Sequence, residues 1–412
     1  MKENSPAKQQ RFEMLDIIRG IALLGVLLAN MADFSFFSAL SFQEKANLPL
    51  AELNNSLLFI SSTFLDGKFY SLFSILFGVG FALFINKPNR IWLFSRRIFF
   101  LALFGIAHAL LIWNGDILLL YALLGFSLPL LTRCKDKTLF ILSILLICSP
   151  ILLDSIRVAT NYEFDPGSSL LTTALDKSVK PKGEEGGFRA YANLMKVADY
   201  QEVIKTNFAG FYFRWAYLLE SNRPFKVLGL FLFGLLIGRN RLFINLEQKS
   251  QPLKRIRNLG LGIGLPASFL MAYYDVYAEG LPHLLNTTVS LLSVVPMTLA
   301  YIAIICLCIS QDKYRSQLKI FAPFGKMALT CYLMQSLVGI FIFRGSGLGL
   351  ALELGPALYL MIGLMIFALQ LLFCHLWLKY FEFGPFEWLW RQLTYWQRLP
   401  LRRLINEPIK SN

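Results

Sequence analysis

The sequence predicts an all-α polytopic membrane protein with about ten transmembrane helices and both termini in the cytoplasm. Three observations carry this. Apolar residues make up 56% of the 412 and charged residues only 16%, where a soluble domain has about 45–50% and about 25%. Apolar runs of about 20 residues, the length that crosses the hydrocarbon core, recur along the chain. The basic residues behind the formal net charge of +14 gather between alternate runs, as they do in cytoplasmic loops. The charge therefore reads as orientation, and no nucleic acid is expected as a partner. Disorder is excluded by the hydrophobicity.

The runs lie at roughly 15–36, 67–86, 94–113, 116–132, 138–156, 225–242, 257–276, 284–309, 320–343 and 356–380. Length makes them helices, since strands seldom exceed about ten residues, and the lipid bilayer is their partner. With the N-terminus inside, the inner segments hold Lys2, Lys8 and Arg11, then Lys87, Arg90, Arg96 and Arg97, then Arg133, Lys135 and Lys137. Later inner segments hold Arg239 to Arg257, Lys313 to Lys319, and Lys379 to Lys410. The short outer loops keep only Lys45 and Arg344. The first run carries Asp16 and Arg19, so it is expected to stay as an uncleaved anchor. The chain divides into a five-helix half (1–156), an extracytoplasmic segment (157–224) and a second five-helix half (225–412). The six cysteines fall outside the outer loops and show no zinc spacing, so neither disulfides nor a metal is expected.

The segment 157–224 opens with loop breakers Pro166, Gly167, Pro181, Gly183, Gly186 and Gly187. Phe188, Tyr191, Met195 and Ala198 then recur at helical spacing, opposite Lys196 and Asp199. This predicts an amphipathic helix lying on the outer leaflet, or a lid over an outward-facing site. The aromatic run from Phe208 to Tyr217 suits the headgroup level.

Ionisable groups inside spans are the most informative residues, because each costs about 2.5–3.5 kcal/mol at the bilayer centre. Asp16 and Arg19 are three apart and share a face of the first helix. Asn30 returns to that face about 16 Å nearer the outside. Lys68 opens the second span at the outer boundary, where it can snorkel to water. Arg97 and His108 share a face of the third span, and Asp116 follows within two turns. A histidine beside a carboxylate suits acid–base work near neutral pH. Lys326 lies about one turn inside the ninth span. The inner group is thus Asp16, Arg19, Arg97, Lys326 and Glu387; the outer is Asn30, Asp66, Lys68, His108, Asp116 and Arg344. Each also has a structural reading, as an ion pair or a bond to a neighbouring helix.

Several stretches resemble the YeiB-like family of bacterial inner-membrane proteins, whose C-terminal part is the domain of unknown function 418. They are LDIIRGIALLGVLLAN, FLDGKFYSLFSILFGVGFAL, SRRIFFLALFGIAHALLIWNGDILLLYALLG, FAPFGKMALTCYLMQSLVGIFIF with RGSGLGL, and FGPFEWLWRQLTYW. Cys331 stands where the family usually has Asn, and Trp396 where Gly is common. The family is similar at superfamily level to transmembrane acyltransferases through the LDxxRGxA opening, here Asp16, Arg19, Gly20 and Ala22. In one acyltransferase branch a histidine follows that arginine after eleven residues; here the position is Asn30, as in the branch that acetylates heparan glucosamine.

The resemblance implies an acyltransferase of the bacterial cytoplasmic membrane, with no bound cofactor and acyl-CoA as co-substrate. His108 and Asp116 are the expected catalytic pair, with Asp16, Arg19, Asn30, Lys68, Arg97 and Lys326 binding donor or acceptor. The acceptor would be an envelope glycan, a lipid or a small molecule. The alternatives are a transporter for a small anionic solute and a non-enzymatic subunit of an envelope complex.

Overall fold

Backbone amides and carbonyls find no partner in lipid, so a crossing chain satisfies them within helices. The computed structural model describes residues 6–85, 90–162, 165, 167–177, 188–197, 199–244, 246–278 and 280–403. Among these residues there is no strand, only one isolated antiparallel bridge between Phe381 and Arg402. The breakers Pro166, Pro181, Gly183, Gly186 and Gly187, with Lys2, Lys87, Ala198 and Lys410, lie outside the described residues.

The helices that position the polar clusters are α1 (Pro6–Ser35), α2 (Ala51–Phe64), α3 (Lys68–Ile85), α4 (Arg90–Ala107), α5 (Leu118–Gly125) and α6 (Asp136–Ala159). Two helices of the segment between the halves follow, α7 (Phe188–Val197) and α8 (Tyr200–Glu220). The second half holds α9 (Arg223–Arg239), α10 (Ser250–Tyr277), α11 (His283–Ile309), α12 (Ala322–Lys326), α13 (Ala328–Phe343), α14 (Pro356–Tyr380) and α15 (Pro385–Tyr395).

Seven described segments are long and apolar enough to cross a membrane, and an eighth is a pair bent by 75°, Asp312–Lys326 with Ala328–Phe343. The chain is thus a multi-pass helical membrane protein. The two other predicted spans form shorter helices. One is the apolar stretch Leu118–Leu131, which pauses after Gly125. The other is α9, with 17 residues. Nine of these are buried, so α9 is walled in by protein and need not match the bilayer's thickness. The second span is longer than predicted, because α2 continues into α3 through Gly67 as one segment of 35 residues.

Small residues let these helices approach closely, the usual basis of packing where lipid removes the hydrophobic drive. Gly78 of α3 sits directly against the backbone of Phe231, and Gly234 of α9 against the backbone of Ile75. Gly80, two residues on, faces open space. The core beside this crossing is aromatic: Phe77 stacks on Phe231 with ring centroids 4.4 Å apart.

The apolar face of α7 meets protein. Tyr191 and Met195 are buried, and Tyr191 packs edge-on against Phe36 with centroids 5.7 Å apart. The backbone NH of Gly345 donates to the Met195 carbonyl at 3.0 Å. This helix closes over the outer ends of α1 and α13, in the manner of a cover.

The crossing yields a test. Gly78→Ala places a methyl group in the Phe231 backbone and should lower stability by about 1–3 kcal/mol, whereas Gly80→Ala should leave it unchanged or slightly raised. Thermal unfolding in detergent measures both; equal effects would contradict the packing described.

Candidate functional site

The polar side chains gather at the two ends of the bundle, called inner and outer after the charge distribution. The inner end is organised around the break in the ninth span. There α12 stops at Lys326 and α13 begins at Ala328. A break in mid-span frees carbonyls on one side and amides on the other. Two distant charges take them up. Arg19 Nη1 donates to the Gly325 carbonyl at 3.2 Å and to Asp16 Oδ1 at 2.8 Å. Glu387 Oε1 accepts from the backbone NH of Leu329 at 2.7 Å and of Thr330 at 3.1 Å, and its Oε2 accepts from Thr330 Oγ1 at 2.5 Å. Burial pushes the Glu387 carboxyl above its ordinary range, against these hydrogen bonds that favour its charge. The signs match the helix ends, a cation at a C-terminus and an anion at an N-terminus. Gly20 and Gly325 make the contact possible: Gly325 lies against the Asp16 carbonyl, and Gly20 against that of Phe321.

Around this joint the inner residues do converge. Lys326 lies in the field of Asp16, Glu382, Arg391 and Arg403. Arg97 lies in that of Arg391 and Arg19, and its guanidinium stands 4.0 Å from the centroid of the Trp390 ring. The Trp390 indole NH donates to the Arg97 carbonyl at 2.8 Å. The cations Arg19, Arg97, Lys326, Arg391 and Arg403 thus outnumber the carboxylates Asp16, Glu382 and Glu387, a balance that suits an anion.

At the outer end, α4 runs into a π-helical turn, His108–Ile112. Such turns are rare and recur at functional sites. The turn throws His108 inward, where it is 1% exposed, and the loop returns Asp116, 4% exposed, to meet it. His108 Nδ1 and Asp116 Oδ1 are 2.9 Å apart. Asp116 Oδ2 accepts from the backbone NH of Leu119 at 2.7 Å, at the start of α5. The carboxylate is therefore fixed at both oxygens, and the imidazole is oriented by it. His108 Nε2 is buried and has no hydrogen-bond partner among the described residues. Asn207 of α8 takes up carbonyls of the π turn, donating to Leu110 at 3.2 Å and Ile112 at 3.3 Å. A cavity of about 10 Å³, lined by Asp116, Asn114, Arg214 and Trp215, adjoins the pair and has about the room of one water.

The remaining predicted residues separate. Lys68 does not snorkel: it is fully buried, and its Nζ donates to the Ser62 carbonyl at 2.8 Å, beyond the last turn of which α3 begins. Asp66 and Asp275 supply the opposite charge. Because α2 and α3 form one segment from Ala51 to Ile85, Lys68 lies within it and not at its outer boundary. Arg344 bonds Asn207 Oδ1 at 3.1 Å and serves the cover rather than the dyad. Asn30 is half-buried on α1.

Residues not anticipated complete the outer region. Asp33, one turn beyond Asn30, is exposed, and the charges of Arg214 and Arg223 act on it. Tyr332 of α13 places its ring centroid 5.2 Å from that of His108. Asp33 had a legible signal, its three-residue spacing from Asn30. Arg214, inside the aromatic run FYFRWAY, had one as well.

Two polar clusters, one at each end of a bundle of membrane-crossing helices, define a multi-pass membrane protein with a charged interior. The family model described as "Protein of unknown function (DUF418)" matches residues 237–397. The uncharacterized protein YxaH of Bacillus subtilis is 34% identical over 403 residues, covering 94% of this chain and 96% of YxaH. The uncharacterized protein YeiB of Escherichia coli is 29% identical over 405 residues, covering 93% and 96%. A 39.9 kDa uncharacterized protein of Bacillus acidopullulyticus is 28% identical over 401 residues, covering 96% and 97%. The chain belongs to the YeiB-like family. No solved structure matches it.

Both departures from the resembled pattern fall on described residues. Trp396 ends α15 at φ 53°, a left-handed conformation that glycine adopts without strain; its ring faces Arg96 at 5.7 Å. Cys331 is buried with its Sγ 3.3 Å from that of Cys374.

Removing the Glu387 carboxylate tests the joint. Glu387→Ala leaves two amides and a hydroxyl without their acceptor and should lower stability by about 1–3 kcal/mol. Glu387→Gln, which keeps one acceptor oxygen, should lose less. Unchanged melting of both variants would show that the joint is held by something else.

Proposed function

We propose that this protein is a transmembrane acyltransferase of the bacterial cytoplasmic membrane. In this reading the inner cations Arg19, Arg97, Lys326 and Arg391 hold the phosphates of acyl-CoA. The acceptor, an envelope glycan, lipid or small molecule, enters from the outer side. The observation that carries the reading is the buried His108–Asp116 pair on a π turn, with Nε2 unpartnered.

Asp116 keeps the proton on Nδ1, so the Nε2 lone pair is free to act as base. Nε2 takes the proton of an acceptor hydroxyl or amine as its oxygen or nitrogen bonds to the thioester carbonyl carbon. The carbon–sulfur bond then breaks, and the thiolate leaves with the proton returned from Nε2. Tyr332, whose ring centroid lies 5.2 Å from that of His108, would donate to the negative charge that develops on the carbonyl oxygen.

The bent ninth span favours the transporter reading, since discontinuous helices often bind solutes with their exposed ends. Here Arg19 and Glu387 already occupy both ends, which makes it the weaker of the two.

Membrane vesicles given labelled acetyl-CoA should pass label to an envelope acceptor. His108→Ala should reduce the rate about 10²- to 10⁴-fold, with correct folding checked by melting. Equal labelling by wild type and variant would refute the mechanism, and accumulation of unmodified solute in proteoliposomes would favour transport.

A further inference from the structure

Arg214 and Arg223 sit on consecutive helices, α8 and α9, and share one aromatic support. Their guanidinium carbons lie 5.8 Å and 5.0 Å from the centroid of the Tyr217 ring. A second ring continues the row: Arg223 stands 4.7 Å and the Lys226 Nζ 5.8 Å from the centroid of Tyr70. Three cations are thus lined up along two tyrosines. Arg223 donates to the Tyr217 hydroxyl at 2.9 Å.

What is missing is a matching set of anions. Among the described residues no carboxylate lies within ion-pair distance of Arg214, Arg223 or Lys226. The buried Nε atoms of both arginines have no hydrogen-bond partner. Among the described residues, Asp33 is the one carboxylate whose field reaches both guanidiniums. By contrast Arg157, at the same level of the bundle, has Asp154 at 2.8 Å and two carbonyls besides. The place reaches the surface of the bundle, since Tyr217 is 48% exposed.

Gathered cations inside a membrane protein are expensive unless something neutralises them. A ring beneath a guanidinium leaves its in-plane donors available, and apart from the Arg223 bond to the Tyr217 hydroxyl these can meet an oxyanion. Three positive charges against Asp33 leave about two to be met. A carboxylate would meet one; a phosphate monoester, with about −1.5 to −2, meets both. We propose that Arg214, Arg223 and Lys226 form a binding site for a phosphate group on a ligand that enters from the outer side. The site is independent of chemistry at His108 and is tested by binding alone.

The purified full chain in detergent is titrated with inorganic phosphate and, separately, with short-chain phosphatidic acid, with acetate at equal ionic strength as control. Binding is read by calorimetry and by the shift in melting temperature. At least one phosphate probe should bind, and Arg214→Gln and Arg223→Gln should each weaken it at least tenfold. Lys226→Gln should weaken it less and keeps the proposal testable should an arginine variant fail to fold. Arg255→Gln, an exposed charge on α10, should change nothing. Binding of phosphatidic acid alone supports the site and makes the ligand a lipid headgroup; equal binding of inorganic phosphate supports it and makes the ligand soluble. Binding of neither probe, binding matched by acetate, or binding undiminished in the arginine variants overturns the proposal.

Discussion

The joint at Met327 governs the rest of the molecule. A helix broken in hydrocarbon exposes backbone groups that lipid cannot satisfy, and the break survives because side chains from far along the chain satisfy them. Arg19 comes from the first span and Glu387 from the last helix. The two ends of the sequence are thereby tied to one point. That point is also where Gly20 and Gly325 bring the first and ninth spans into backbone contact. The arginine of the LDxxRG opening therefore has a structural duty before any catalytic one. It also sets Asp16 and Lys326 side by side, so that structure and the inner basic region depend on the same residues.

The outer end repeats the logic with a different device. A π turn widens the helix and frees carbonyls at Leu110 and Ile112, and Asn207 of the intervening segment takes them up. The segment thus does more than cover the bundle. It completes the backbone of the turn that presents His108, while Tyr191 and Asn114 join the same contact at 3.2 Å. The helices that cover the outer end thus also hold the turn in shape.

Charge is distributed unevenly between these two ends. The pair of Arg157 with Asp154 is neutralised within the protein and reads as structure. The arginines near Tyr217 and the cations around Trp390 are not neutralised to the same degree. In a low-dielectric setting an uncompensated charge is the exception that asks for a ligand.

The amino-acid sequence by itself determined the class and the helical content, and carried the pairing of His108 with Asp116 as an expectation. Apolar run length and the eight-residue spacing are local quantities that need no partner. It also carried the Asp16–Arg19 pair, three residues apart on one helix. Tertiary structure alone decided which carbonyl Arg19 reaches, that Lys68 is enclosed, that the helix of Tyr191 lies on protein, and that Arg214 and Arg223 meet at one ring. Each of these joins residues that are distant in the chain or on separate helices. Helix periodicity states which face a residue occupies, but not which neighbour that face meets, because in lipid that choice rests on close packing and hydrogen bonding between helices.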